Sequence, residues 1–186
     1  MNIVARMILS LTLIGVIVGG LLSQVSNWAA PQIEKNMQEA MRQAITTVQP
    51  ECVRTERVAT DLLELYRVFD QEDRPVGYAM SVTGNGFSDK ITMMVGVSED
   101  LEVITGIEIL KQTDTPGLGA KIVEPEFKDK FKDLRAQPQV ICTKSENPGP
   151  NEIQAITAAT ITSKAVVEIV NTHMKILKEV KAGMGL

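Results

Sequence analysis

The chain has 186 residues, 44% of them hydrophobic and 4% aromatic, and a net charge of −4 at pH 7. That length suits one domain with an appendage, and the acidic balance, the scarcity of aromatics and the lack of a basic run exclude a nucleic-acid surface. Two cysteines far apart, Cys52 and Cys142, and a single histidine, His173, are too few for a zinc or iron–sulfur site, so no metal site is expected and any redox chemistry is left to an organic cofactor.

Ile3 to Leu22 is almost unbroken apolar sequence, interrupted by Arg6 and small polar residues. About 20 helical residues match the hydrocarbon thickness of a bilayer. A cleaved secretory leader begins in the same way, but this run is longer than a usual leader core, no small-residue cleavage site follows, and Trp28 stands where an interfacial aromatic belongs. Residues 1–26 are therefore expected to be a single-pass anchor. Arg6 keeps the amino terminus cytoplasmic, which delivers everything after Leu22 to the outer face.

Residues 27–50 form the next segment. Ile33, Met37, Met41, Ala44 and Val48 recur at helical spacing, with Pro31 suited to a first turn and Pro50 ending the helix. Residues 51–186 are the expected ectodomain. Leu62 to Phe69 and Val76 to Val82 read as strands about the polar turn 70–75, and Ile91 to Val97 and Val103 to Leu110 as a second pair about Ser98-Glu99-Asp100. Gly84-Asn85-Gly86-Phe87 is a bend, and Lys111 to Gly119 a loop. Phe127, Phe131 and Leu134 mark a short helix, Gln139 to Thr143 a strand, and Ser145 to Asn151 a loop. Ser163 to Lys181 is the long ectodomain helix, with Val166, Ile169, Val170, His173, Leu177 and Val180 on its apolar face. Hairpin strands with segregated helices predict an α+β domain, an antiparallel sheet packed by helices.

Three stretches carry chemical interest. Thr157-Ala158-Ala159-Thr160-Ile161-Thr162-Ser163 puts four hydroxyls at a helix start, where unpaired amides and the helix dipole favour an anion such as a phosphate. An ordinary N-cap has the same residue types, although it needs only one hydroxyl. Asp114-Thr115-Pro116-Gly117-Leu118-Gly119 is either a tight surface turn or a backbone that a planar ligand can approach closely. Gly84-Asn85-Gly86-Phe87 fits a hairpin tip or the rim of such a site. The two cysteines fit a disulfide or two free thiols equally well.

Taken together and in this order, the three stretches and the anchor resemble the FMN-binding domain family, which occurs in the G subunit of Rnf electron-transport complexes and the C subunit of sodium-pumping NADH:quinone reductase. Thr157 to Thr162 looks like the family's S/T-G-A-T-x-T flavinylation motif, Asp114 to Gly119 like its E-T-P-G-L-G loop, and Gly84 to Phe87 like its Gly-rich segment. The short length favours the Rnf subunit. The resemblance implies FMN held by a phosphoester to Thr160, with Thr157, Ala158, Ala159 and Thr162 around the phosphate. It also implies Thr115, Gly117, Leu118 and Gly119 against the flavin, and Gly84, Gly86 and Phe87 closing the site. Ala158 stands where the family usually has glycine, an awkward residue if the position needs positive φ, and Gln154 stands where it usually has aspartate.

A threonine hydroxyl is a weak nucleophile and the motif supplies no base. Attachment is therefore expected from a separate flavin transferase, and no catalytic acid or base is assigned. The resemblance implies an electron-carrier subunit of a membrane-bound, ion-translocating oxidoreductase complex of ferredoxin/NAD type, partnered by that complex's other membrane and peripheral subunits. An assembly subunit with non-covalent or no flavin is the alternative. A secreted hydrolase using Cys142 or Ser163 with His173 is a weaker third reading.

Overall fold

The computed structural model describes residues 2–60 and 62–184. Met1 and residues 185–186, the outer ends of the expected anchor and ectodomain, lie outside the described residues, as does Asp61.

A single helix, α1 (Ile3–Val48), takes up the two segments expected as anchor and amphipathic helix. Pro31 lies inside it rather than in a first turn. A proline there leaves the Asn27 carbonyl without its helical amide, a cost contained where side chains are exposed and another partner can reach the carbonyl. Of the described residues, 2–40 lie in one unit of the chain and those from 41 to 184 in a second. In the first unit the helix is long and apolar enough to cross a membrane. Ile8, Leu13, Val18, Leu22 and Trp28 are all exposed on it.

The second unit is built on an antiparallel meander of six strands in sequence order: β1 (Arg54–Val58), β2 (Glu64–Phe69), β3 (Pro75–Asn85), β4 (Lys90–Ser98), β5 (Val103–Lys111) and β6 (Leu134–Arg135). After β5 come a 3₁₀ turn (Gly119–Val123), the one-turn helix α2 (Pro125–Lys128) and a second 3₁₀ turn (Asp129–Phe131). Beyond β6, β7 (Ile141–Thr143) and β8 (Glu152–Gln154) form a small parallel pair, and α3 (Thr160–Met184) closes the chain. The α+β expectation holds. β1, with the sequence Arg-Thr-Glu-Arg-Val, has no apolar alternation and is an exposed edge strand, which hides it from a periodicity reading. The expected helix over Phe127, Phe131 and Leu134 is two short turns and a strand, with all three side chains buried.

Strand alternation sorts the sheet into two faces. Tyr78, Met80 and Val82 of β3 pair with Val97, Val95 and Met93 of β4, and this face packs Val166, Ile169, Val170, Leu177 and Val180 of α3 into the main core. Met174 joins them. His173, expected on this apolar face, is only half-buried at its edge, with Nδ1 2.8 Å from the Ile169 carbonyl oxygen. Phe127 and Phe131 complete the core in an edge-to-face pair 5.6 Å apart.

The opposite face is paved with small residues. Gly96 pairs with Gly106, and the buried Ala44, Ile45 and Val48 pack there with Val68, Ala79 and Met94. A Cβ on Gly96 would stand 2.5 Å from the Val48 carbonyl oxygen, so glycine is what lets the helix end sit on the strands. That carbonyl accepts a 2.6 Å hydrogen bond from Thr105. The buried Gln49 donates to the carbonyls of Val97 (2.9 Å) and Tyr78 (3.2 Å).

Candidate functional site

The β3–β4 hairpin turns at Gly86, whose amide donates to the Asp89 carbonyl at 2.8 Å. A Cβ on Gly86 would lie 2.6 Å from that oxygen. Gly86 therefore shapes the turn, and the turn carries Phe87 out to 61% exposure. Gly84 has another task. A Cβ there would stand 2.4 Å from Ile169 Cγ1, so this glycine admits α3 to the sheet, and it lines a separate cleft with Asn85, Glu168 and His173.

The loop after β5 folds back on itself, the amides of Leu118 and Ala120 both donating to the Thr115 carbonyl. Gly117 holds φ +76° in open space, a conformation glycine adopts without strain. Asp114 then reaches across the loop. Its carboxylate accepts from the Thr162 hydroxyl at 2.5 Å, the Ser88 hydroxyl at 3.1 Å and the Thr115 amide at 2.7 Å. Gly119 lies beneath this junction: a Cβ would fall 1.9 Å from Asp114 Oδ2 and 2.7 Å from Thr162 Oγ1. The Thr162 bond foremost, then the Thr115 and Ser88 donors, holds the Asp114 carboxyl below the usual carboxylate range against the opposing effect of burial.

The start of α3 is the third wall. Ala158 sits at φ +64°, the left-handed conformation that makes a glycine useful at this position. The chain then turns into the helix with the Ala159 amide on the Ile156 carbonyl. Ser163, fully buried, donates its hydroxyl to the Ala159 carbonyl and accepts the Ile156 amide. Its hydroxyl is a local brace and not a nucleophile. Thr162 is committed to Asp114. The Thr160 hydroxyl, and the amides of Thr160, Ile161 and Thr162, have no hydrogen-bond partner among the described residues.

These walls enclose a cleft of about 260 Å³ lined by Phe87, Asp114, Thr115, Leu118, Gly119, Ala158, Ala159, Thr160, Ile161 and Thr162. Its polar end is the first turn of α3, and its lips are the exposed side chains of Phe87, Leu118 and Ile161. Eight of the residues singled out in the sequence line it. Gly86 and Gly117 shape adjoining turns. Gly84 and Thr157 are elsewhere, the latter in a neighbouring polar cleft with Lys121, Lys130 and Gln154. Two lining residues stand in the sequence motifs without an assigned contact there: Asp114, the first residue of the loop motif, and Ile161, the variable residue of its own motif. The only signal for Asp114 is its place before Thr-Pro-Gly.

An anion at α3 and a flat apolar body at the lips fit this arrangement. Three unpaired amides and a free hydroxyl suit a phosphate, and the lip side chains suit a ring system. Cys52 and Cys142 are free and half-buried, with burial pushing both thiols up. Among the described residues no cluster of acidic, histidine or cysteine side chains could hold a metal ion.

Residues 86–175 match the FMN-binding domain family. The chain is similar to the G subunit of the ion-translocating oxidoreductase complex of Methanosarcina acetivorans, with 28% identity over 91% of this chain and 92% of that protein. It is 40% identical to the G subunit of the Na(+)-translocating ferredoxin:NAD(+) oxidoreductase complex of Acetobacterium woodii, over 62% of this chain and 56% of that one. The chain thus spans nearly all of the first relative and little more than half of the second. Among solved structures it is similar to the C subunit of the Na(+)-translocating NADH-quinone reductase of Parabacteroides distasonis, with a TM-score of 0.50 and 28% identity over 59% of this chain and 57% of that one. Shewanella oneidensis NqrC shares the fold, with a TM-score of 0.55 and 16% identity over 68% and 67% of the two chains.

Proposed function

We propose that this chain, which carries an FMN-binding domain over residues 86–175, is an electron-carrying subunit of a membrane-bound, ion-translocating oxidoreductase complex of Rnf type, with FMN attached by a phosphoester to Thr160. One observation carries the attachment site. Of the hydroxyls at the start of α3, Thr162 and Ser163 are engaged in hydrogen bonds and Thr157 faces another cleft, whereas Thr160 is free within the cleft beside three unpaired amides. When bound, FMN supplies the redox chemistry.

The chain's own part is to bind and orient. The amides of Thr160, Ile161 and Thr162 hold the phosphate in the positive end of the helix dipole. Phe87, Leu118 and Ile161, the apolar lips of the cleft, would hold the ring system. Asp114 fixes Thr162 and so the first turn of α3. Among the described residues the Thr160 hydroxyl has no hydrogen-bonded base, and the cleft's carboxylate, Asp114, is taken up by Ser88, Thr115 and Thr162, which supports attachment by a separate flavin transferase.

The apolar part of α1 anchors the chain by one pass, with its amino terminus cytoplasmic and the FMN domain on the outer face, next to the membrane subunits of its complex. The alternative, an assembly subunit without covalent flavin, draws on the strained Ala158 and on Gln154. Intact mass of the full chain, produced with and without a flavin transferase, tests the choice. A gain of one FMN less water that disappears in Thr160→Ala supports the carrier, and an unmodified chain in the native complex rejects it.

A further inference from the structure

Asp114 has a place in the cleft that clamping alone does not account for. It is the one carboxylate among the lining residues. Donors from three separate segments, Ser88, Thr115 and Thr162, pin both of its oxygens. All three donors are neutral, and among the described residues no lysine or arginine forms an ion pair with it. A carboxylate held by neutral hydrogen bonds keeps its full charge, and donors of this kind favour the ionised form. The depressed pKa of Asp114 agrees. The cleft therefore presents one fixed, unneutralised negative charge beside an apolar rim.

We propose that Asp114 is a potential-setting residue, its fixed charge lowering the reduction potential of the flavin held in this cleft; the proposal rests on the reading that FMN is attached at Thr160. Reduction brings two electrons into the flavin, and with one proton taken from water the product gains one negative charge. A carboxylate within the same cleft disfavours that added charge. The site is open to solvent, so the effect is screened and modest. About a tenfold change in the equilibrium between oxidised and reduced flavin is expected, which for a two-electron couple is about 30 mV.

The test is a redox titration of the flavinylated full chain in detergent, with dithionite as reductant and intact mass recording how much flavin each variant carries. Asp114→Asn, which removes the charge at nearly the same shape and leaves one acceptor oxygen beside an amide donor, is expected to raise the midpoint potential by that tenfold step. Asp114→Glu and Thr162→Val both keep a carboxylate in the cleft and are expected to hold the potential or lower it. A loaded Asp114→Asn whose equilibrium stays within about twofold of the parent overturns the proposal, as does a rise in Thr162→Val equal to that in Asp114→Asn, which would trace the change to clamp geometry. Should Asp114→Asn take up no flavin, Thr162→Val decides: an unchanged or lower potential supports the fixed charge and a rise overturns it. A parent chain without the mass gain is a failure of the attachment reading and is seen before any potential is measured.

Discussion

The Thr162 hydroxyl donates to the Asp114 carboxylate at 2.5 Å across 48 residues of chain, tying the loop after β5 to the first turn of α3. Through Ser88 the same carboxylate holds the β3–β4 hairpin. Three motifs distant in sequence thus converge on one side chain, and the cleft exists because they do.

Gly119→Ala separates this junction from ordinary loop behaviour. The added methyl would overlap Asp114 Oδ2 and crowd Thr162 Oγ1, forcing apart the pair that defines the cleft. Overpacking of that kind costs about 1–3 kcal/mol. Gly117→Ala meets no atom within 4 Å and carries only the left-handed strain of φ +76°, about 1–2 kcal/mol. Both variants are expected to lower the urea midpoint. Only Gly119→Ala is expected to reduce flavin content as well, by intact mass. Equal flavin loading in the two would mean that the Asp114–Thr162 bond is not what shapes the cleft.

Ala158→Gly is expected to stabilise the chain. Alanine at φ +64° carries about 1–2 kcal/mol of left-handed strain, and glycine returns about 0.5–1 kcal/mol of that as extra entropy in the unfolded chain. The net gain is roughly 0.5–1 kcal/mol, read as a higher urea midpoint at unchanged slope. Flavinylation in the presence of a flavin transferase should proceed at least as fast as in the parent. A lower midpoint would show that the methyl group makes packing contacts that outweigh the strain.

The sequence makes some of this legible and hides the rest, for physical reasons. Strands β3 and β4 are legible because Tyr78, Met80 and Val82 and then Met93, Val95 and Val97 recur at a period of two toward the main core, and α3 declares itself by the spacing of Val166, Val170 and Leu177. β1 has no apolar alternation because it is an exposed edge. β8 is three residues paired in parallel with the strand just before it, β7, too short for any period. In the site, the motifs come together as walls of one cleft, whereas Gly84 and Gly86, which read as ligand contacts, admit a helix to the sheet and shape a turn. A glycine in a sequence states that a Cβ is unwelcome without saying what would meet it. Asp114 gains its place only from the fold, since its partners lie 26 and 48 residues away.

The carboxyls of Asp70, Asp89, Asp100 and Asp114 are all held below their ordinary range by hydrogen bonds, from the Arg74 amide, the Lys90 amide, the Ser98 hydroxyl and the Thr162 hydroxyl foremost. A carboxyl with a depressed folded pKa stabilises the fold fully above its unfolded value, about 3.9, and loses that contribution as pH falls through the folded value. Stability is therefore expected to be level from neutral pH to about pH 5 and to decline below it. Asp100→Asn should be less stable than the parent at pH 7, since Asp100 also holds the Glu102 amide, and the gap should close in strong acid. Urea midpoints of the pair across roughly pH 2–7 check the sign; a gap that widens in acid would contradict it.

The carboxyl end of α1 ought to be among the most sensitive places in the second unit, although it lies far along the chain from the cleft motifs. Its last carbonyls face the sheet, where unsatisfied groups are costly. Thr105 supplies one donor to Val48, and the buried Gln49 supplies donors to Val97 and Tyr78. The register steps from Gly96 opposite Gly106 to Val97 opposite Ile104, which leaves Thr105 as the extra residue of a bulge in β5. Thr105→Val keeps the shape and removes a single donor, which costs about 1–3 kcal/mol when a buried acceptor is left unmade. Gln49→Leu removes the donor to two carbonyls and is expected to cost more than Thr105→Val. Gly96→Ala should be the worst, since its methyl would meet backbone at Val48 that cannot give without lifting the helix end. The expected order of urea midpoints is parent, Thr105→Val, Gln49→Leu, Gly96→Ala. If Gly96→Ala were as stable as the parent, α1 would not be seated on this face of the sheet in solution.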